Sequence, residues 1–181
     1  RSPDLWGSNF EPTPIATLSG LNDTLLLDSG MNTAANAHSY KVELHNNNGL
    51  VSQPMVASTL HLQTYGGDNR VALTVEKNVP WINSKYAFYQ ISGQDEMLLA
   101  EIDSVGFTHE NLPNNEPFYY RVKSTGSYTE SGFVYPIVNF SQIAEGVPVD
   151  TVPPNAPAIN VMANCDAFYN EITWQSTDSE V

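Results

Sequence analysis

The chain has 181 residues, 41% of them apolar, which suits one or two packed domains, and no apolar run approaches the roughly 18–20 residues of a spanning helix. Seven Lys+Arg against twenty Asp+Glu leave a net charge of −13, a surface that repels phosphate backbones and argues against nucleic acid or membrane insertion. The acids are scattered, as solubility requires, and a charged content of only 15% beside abundant Asn, Ser and Thr is the profile of an extracellular β-rich module.

Period-2 alternation runs through the chain, and helical periodicity is nearly absent. Tyr40, Val42 and Leu44 alternate with Lys41 and Glu43, and Asn46-Asn47-Asn48-Gly49 closes that run. After Leu60, the turn Gly66-Gly67-Asp68-Asn69 leads into Val71, Leu73 and Val75, which alternate with Ala72 and Thr74. Tyr86 and Phe88 follow, then the turn Ser92-Gly93, then Leu99-Ala100-Glu101-Ile102. Beyond Pro113-Asn114-Asn115, Phe118, Tyr120 and Val122 alternate with Tyr119 and Arg121. Short strands with frequent turn signals predict an all-β, antiparallel sandwich with one apolar face per strand.

Internal repetition sets the expected domain organisation. Ile15-Ala16-Thr17-Leu18 and Ser39-Tyr40-Lys41-Val42 are echoed by Leu99-Ala100-Glu101-Ile102 and Tyr119-Tyr120-Arg121-Val122, with loop lengths that drift. Leu60 with Leu73-Thr74-Val75 is echoed, at one constant offset, by Ile159 with Ile172-Thr173-Trp174. The first echo pairs back halves of repeats and the second pairs front halves. Residues 1–54 are therefore expected to hold the later strands of one sandwich, 55–150 a complete sandwich, and 151–181 the first strands of a third. The linker Asp150-Thr151-Val152-Pro153-Pro154-Asn155-Ala156-Pro157 suits a stiff joint, because proline fixes φ and removes ladder donors. The single Cys165 leaves no internal disulfide; it reads as a buried small residue or as a half-cystine paired outside these residues.

Leu112 followed by Phe118-Tyr119-Tyr120-Arg121-Val122 resembles the entry to strand F of fibronectin type III domains, and Trp174 in Glu171-Ile172-Thr173-Trp174 resembles their core tryptophan in strand B. Three further segments resemble repeats in large surface proteins of Bacteroidota that end in a gliding-motility-associated, type IX secretion sorting domain. They are Asn78-Val79-Pro80-Trp81-Ile82-Asn83, Val122-Lys123-Ser124-Thr125-Gly126-Ser127-Tyr128 and Ile137-Val138-Asn139-Phe140-Ser141-Gln142. The resemblance implies tandem immunoglobulin-like, fibronectin type III β-sandwiches: the C-terminal part of one domain at 1–54, a complete domain at 55–150, the N-terminal strands of another at 151–181. It also implies export to the cell surface or beyond. The chain departs from the pattern at Phe118, where the family carries a tyrosine whose hydroxyl ties back to the preceding loop. His38 stands at the corresponding place of the first repeat, and Val75 stands where the family has tryptophan, a volume that Trp81 is expected to fill.

No convergent catalytic set is visible. His38, His45, His61 and His109 form no zinc-ligand spacing, no nucleophile elbow occurs, and Asp95-Glu96 beside a Gly-containing turn reads as solvated acid. No cofactor is expected; calcium at the linker acid Asp150 is the one metal hypothesis, and one carboxylate falls far short of the six to eight oxygens such a site takes. Trp6, Trp81 and Tyr89 are the candidate ligand-stacking aromatics, set against a core-capping role for Trp81. Asn22-Asp23-Thr24 and Asn139-Phe140-Ser141 fit the N-glycosylation pattern. The O-glycosylation pattern that goes with the Bacteroidota resemblance matches at Thr24, Ser104 and Thr151.

The expected function is that of a non-catalytic structural and adhesive segment in a secreted or cell-surface multi-domain protein, linked through the resemblance to gliding motility. Its expected partners are neighbouring domains of the same polypeptide and cell-surface proteins or glycans. The alternative is a carbohydrate-binding accessory module of a secreted enzyme.

Overall fold

The structure, a computed structural model, describes residues 1–20, 22–52, 55–130 and 132–175. Among these every regular element is a strand, and every pairing is antiparallel. Residues Arg1–Val149 form one compact unit and Asp150–Val181 another.

The first unit is organised by its alternating runs. β1 (Ser39–Lys41) pairs with β4 (Val56–Ser58), so a strand pairing spans residues 53 and 54, which lie outside the described residues. Between them, the Asn-rich turn joins the two-residue strands β2 (His45–Asn46) and β3 (Gly49–Leu50). Two larger sheets follow. β5 (His61–Gly67), β6 (Arg70–Glu76) and β9 (Gly106–Glu110) form one, in the order β5-β6-β9. The other has the order β11-β10-β7-β8, made of β7 (Ile82–Ser92), β8 (Asp95–Ile102), β10 (Phe118–Ser127) and β11 (Ile137–Phe140), with β12 (Ala144–Gly146) also on β10.

Alternation puts one face of each sheet into a shared core. Leu62, Val71, Leu73 and Val75 from the first sheet meet Tyr86, Phe88, Tyr120 and Val122 from the second, all nearly inaccessible to solvent. Burying each such side chain is worth about 1.5–3 kcal/mol relative to exposure, the dominant favourable contribution to this fold. This arrangement, two antiparallel sheets with their facing side chains interdigitated, is that of a β-sandwich. Phe118 has no hydroxyl to offer, and the oxygen of the buried Tyr120 lies 3.2 Å from His109 Nδ1. His38 is buried, but its Nδ1 has no hydrogen-bond partner among the described residues, whereas its backbone N–H donates to Thr59 Oγ1.

The alternation read in the first forty-odd residues is only partly realised. Val42 and Leu44 lie past the end of β1 with their side chains exposed, and residues 15–18, the block echoed by 99–102, form no strand whereas 99–102 lie in β8. The alternation of Tyr40, Val42 and Leu44 continues past Lys41, but β1 is paired only over 39–41, with 56–58 and by a single bridge from Ser39 to Ser2, and a strand extends only where a neighbour takes up its N–H and C=O groups. What holds this region is polar. Ser2 and Ser39 exchange backbone hydrogen bonds of 2.8 and 3.0 Å, and Arg1 is paired with Asp28 at 2.9 Å and Glu11 at 2.6 Å.

The second unit is a hairpin of β13 (Ala158–Asn164) and β14 (Tyr169–Gln175). Its register places Ile159 opposite Trp174 and Val161 opposite Ile172, and all four side chains are exposed. Cys165 sits in the turn as a free, exposed thiol rather than a buried one.

Candidate functional site

One end of the sandwich gathers Trp81, Tyr128 and Phe133 outside the core. β6 ends there, β7 begins, and β10 leaves for β11, so Trp81 and Tyr128 are neighbours, as the pairing of Ser127 with Ile82 requires. The Trp81 ring meets Tyr128 edge-on at 6.1 Å, and Tyr128 lies 4.7 Å from Phe133 in a tilted stack. Trp81 Nε1–H donates to Asn83 Oδ1 at 2.9 Å, which fixes the indole from the strand side. Gly126 makes this approach possible: a Cβ there would stand 2.4 Å from the Ile82 carbonyl oxygen. Beyond Phe133 the chain turns fully outward, with Val134 76% and Tyr135 79% exposed.

A polar clasp fastens this end to the N-terminal region. Asn78 O accepts the Ser58 N–H, and the Ser58 hydroxyl accepts the Asn78 N–H, each at 2.7 Å. Trp6, 67% exposed, lines an open cleft of about 330 Å³ with Leu5, Val75, Glu76, Lys77 and Val105. The Asp4 carboxylate shapes the backbone beneath it by accepting from Ser2 Oγ at 2.6 Å and from the Ser8 and Trp6 N–H groups. Those hydrogen bonds, Ser2 foremost, hold the Asp4 carboxyl down to about 2. Ser39 Oγ, 2.7 Å from both the Asp4 and Leu5 carbonyl oxygens, ties the same loop to β1.

Tyr89 lies elsewhere, half-buried on the outward face of the five-stranded sheet between Leu98 of β8 and Arg121 of β10. Arg121 reaches Glu96 at 2.9 Å and stands 4.5 Å above the Phe140 ring; Lys85 pairs with Glu101 at 2.8 Å. These pairs are exposed and contribute little to stability. The expected trio is thus distributed: Trp6 on a cleft, Trp81 within an aromatic cluster, Tyr89 on a sheet face. Trp81 is engaged by Asn83 and Tyr128. Phe133, Val134 and Tyr135 were not singled out in the sequence, although an apolar triplet between Gly132 and Pro136, in a connection rather than a strand, is a legible signal.

Thr24, Ser104 and Thr151 are all exposed, and the Ser104 hydroxyl accepts the Gly106 N–H in the turn between β8 and β9. Asp150 is exposed and its carboxylate accepts the Val152 N–H, the local bond of an Asx turn. Among the described residues no three His, Cys, Asp or Glu side chains come together as metal ligands would. His109 is flanked by the Phe118 and Tyr120 rings, and burial pushes its imidazole below the ordinary value. No protein-family model matches the chain, and no curated protein is significantly similar to it in sequence.

Proposed function

We propose that the chain is an adhesive spacer segment of a secreted or cell-surface multi-domain protein, built from fibronectin type III-like sandwiches and without a catalytic role in this stretch. The observation that carries the reading is the aromatic tip: Phe133, Val134 and Tyr135 stand exposed on a connection that Tyr128 and Trp81 brace from beneath. Exposed aromatic side chains on a rigid scaffold offer large contact area at low entropic cost. The β5-β6-β9 and β11-β10-β7-β8 strand orders support the fibronectin type III resemblance, because they follow the three-plus-four arrangement of that fold. On this reading the protein belongs outside the cell, by the export route of the Bacteroidota surface proteins that its segments resemble, where gliding motility is one setting for an adhesive spacer.

The test is attachment. Beads coated with the chain are offered immobilised extracellular proteins and glycans, and Phe133→Ser with Tyr135→Ser is expected to weaken attachment by about thirtyfold or more, the scale of a hot-spot loss. Attachment that ignores those substitutions, or turnover of any offered glycan or peptide, overturns the proposal. A second reading, a carbohydrate-binding module, draws support from the exposure of Trp6 and Tyr135. Glycan binding abolished by Trp81→Ala in a folded protein favours it, and failure to bind any glycan removes it.

A further inference from the structure

The edges of the two larger sheets are treated unequally. β5 is covered along its length. The Gln142 side-chain amide stands in for a neighbouring peptide there, its Oε1 accepting the Leu62 N–H at 3.1 Å and its Nε2 donating to the Leu62 carbonyl at 2.7 Å. Further along, Thr64 Oγ1 donates to the Glu145 carbonyl, and the Val149 N–H donates to the Gly67 carbonyl at 3.1 Å. β9 has 5 residues and β11 has 4, short enough to offer little template.

β8 differs. It runs for 8 residues, ends the sheet, and pairs with β7 alone. Among the described residues, no backbone hydrogen bond outside that ladder is made by β8. A register slip leaves Leu99 as an extra residue, so residues 95–98 form the uninterrupted stretch, ending on Met97 and Leu98, both more than half exposed. The strand carries neither the lysine nor the proline that usually blunts an edge.

We propose that the free edge of β8, over residues 95–98, takes an extended segment of a partner polypeptide whose side chains alternate between basic and apolar. Backbone pairing supplies the affinity of such strand addition, and side-chain contacts supply its selectivity. Met97, Ala100 and Ile102 share one face of the strand and offer the apolar seat, while Glu96 and Glu101 stand on the outward face beside Leu98. The cations that answer Glu96 and Glu101, Arg121 and Lys85, lie inward on β10 and β7, so an arriving strand meets the carboxylates first. A second copy fits worse: antiparallel pairing of two 95–98 stretches sets Asp95 against Leu98 and Glu96 against Met97, so no carboxylate meets a cation, and the two molecules each carry −13. This inference stands apart from the aromatic tip and does not depend on it.

Amide hydrogen exchange on the full chain, with a synthetic nonapeptide of alternating lysine and valine as probe, tests the proposal. The probe is expected to slow exchange of residue 95–102 amides by about tenfold or more at saturation, and its glutamate counterpart to leave them unchanged. Met97→Lys with Leu98→Lys weakens probe binding by about tenfold or more, while the exchange of β10 stays as in the parent. Should β10 report unfolding, Leu98→Thr replaces the double variant, with the same direction of effect. Equal protection by both peptides, protection of β9 or β11 in place of β8, or no binding at millimolar probe overturns the proposal. Concentration-dependent protection of β8 without any peptide also overturns it, by naming a second copy as the occupant.

Discussion

Tyr120→Phe removes one hydroxyl from the middle of the core and leaves everything else in place. Tyr120 is fully buried, and its oxygen shares a 3.2 Å hydrogen bond with the Nδ1 of the half-buried His109. A neutral hydrogen bond of that kind contributes about 1 kcal/mol, and leaving the imidazole nitrogen without its partner adds up to about 1 more. With a urea m-value of about 2 kcal/mol/M, the unfolding midpoint falls by about 0.5–1 M. The pH dependence is more telling. Burial raises the Tyr120 phenol to about 12, so the folded chain keeps a proton that the unfolded chain, at the ordinary 10.0, releases. Stability is therefore complete below pH 10 and declines as pH rises toward about 12, and Tyr120→Phe is expected to abolish that share of the alkaline decline. The acid side behaves oppositely. His109 is lowered from 6.5 by burial, so its contribution is full above 6.5 and is lost as pH falls below it, in parent and variant alike. Urea midpoints of both proteins measured from pH 5 to about 11.5 decide the matter. An unchanged midpoint at neutral pH, or the same alkaline slope in both proteins, refutes the reasoning.

Gly66→Ala places a Cβ 2.0 Å from the Val147 carbonyl oxygen, a backbone atom that cannot swing aside; a loss of about 2–3 kcal/mol is expected, read as a thermal midpoint about 5–10 °C lower. Asp4, held to about 2 in the fold, stabilises the N-terminal loop above its unfolded value of 3.8. That support is lost as pH falls from 3.8 toward 2, and Trp6 fluorescence in a Trp81→Phe, Trp174→Phe background should follow it, with the change absent in Asp4→Asn. Trp81→Ala and Tyr128→Ala, combined in a double-mutant cycle, are expected to show a coupling of about 0.5–1.5 kcal/mol in urea unfolding; additivity would show that the two rings do not brace each other.

The all-β character was legible throughout, because alternation in Val71-Ala72-Leu73-Thr74-Val75 or Tyr120-Arg121-Val122 leaves a strand with one buried face as the only economical conformation. Turns at Asp68-Asn69 and Gly93 were equally plain, since Asn69 and Gly93 adopt positive φ that few other residues accept. Alternation, however, states that a segment can be a strand, not that a neighbour exists. Val42 and Leu44 carry the pattern of Tyr40 onward yet 42–44 form no strand, whereas 39–41 find a partner in 56–58. Pairing is a property of two segments, and only the tertiary structure brings them together.

The candidate surfaces divide in the same way. Trp6, Trp81 and Tyr89 were visible as aromatics, but which of them has company depends on Gly126 letting β10 approach Asn83 and on Tyr128 arriving between Trp81 and Phe133. The Gln142 amide on the edge of β5 and the Ser39 hydroxyl on the Asp4 carbonyl join residues far apart in the chain, at separations that no local pattern encodes. The sequence by itself determined the strand-forming character, the turns and the acidic surface, because these follow from side-chain periodicity, backbone preference and charge count. Tertiary structure alone decided which strands pair, which edge stays open and which aromatics meet, because those depend on contacts between distant segments.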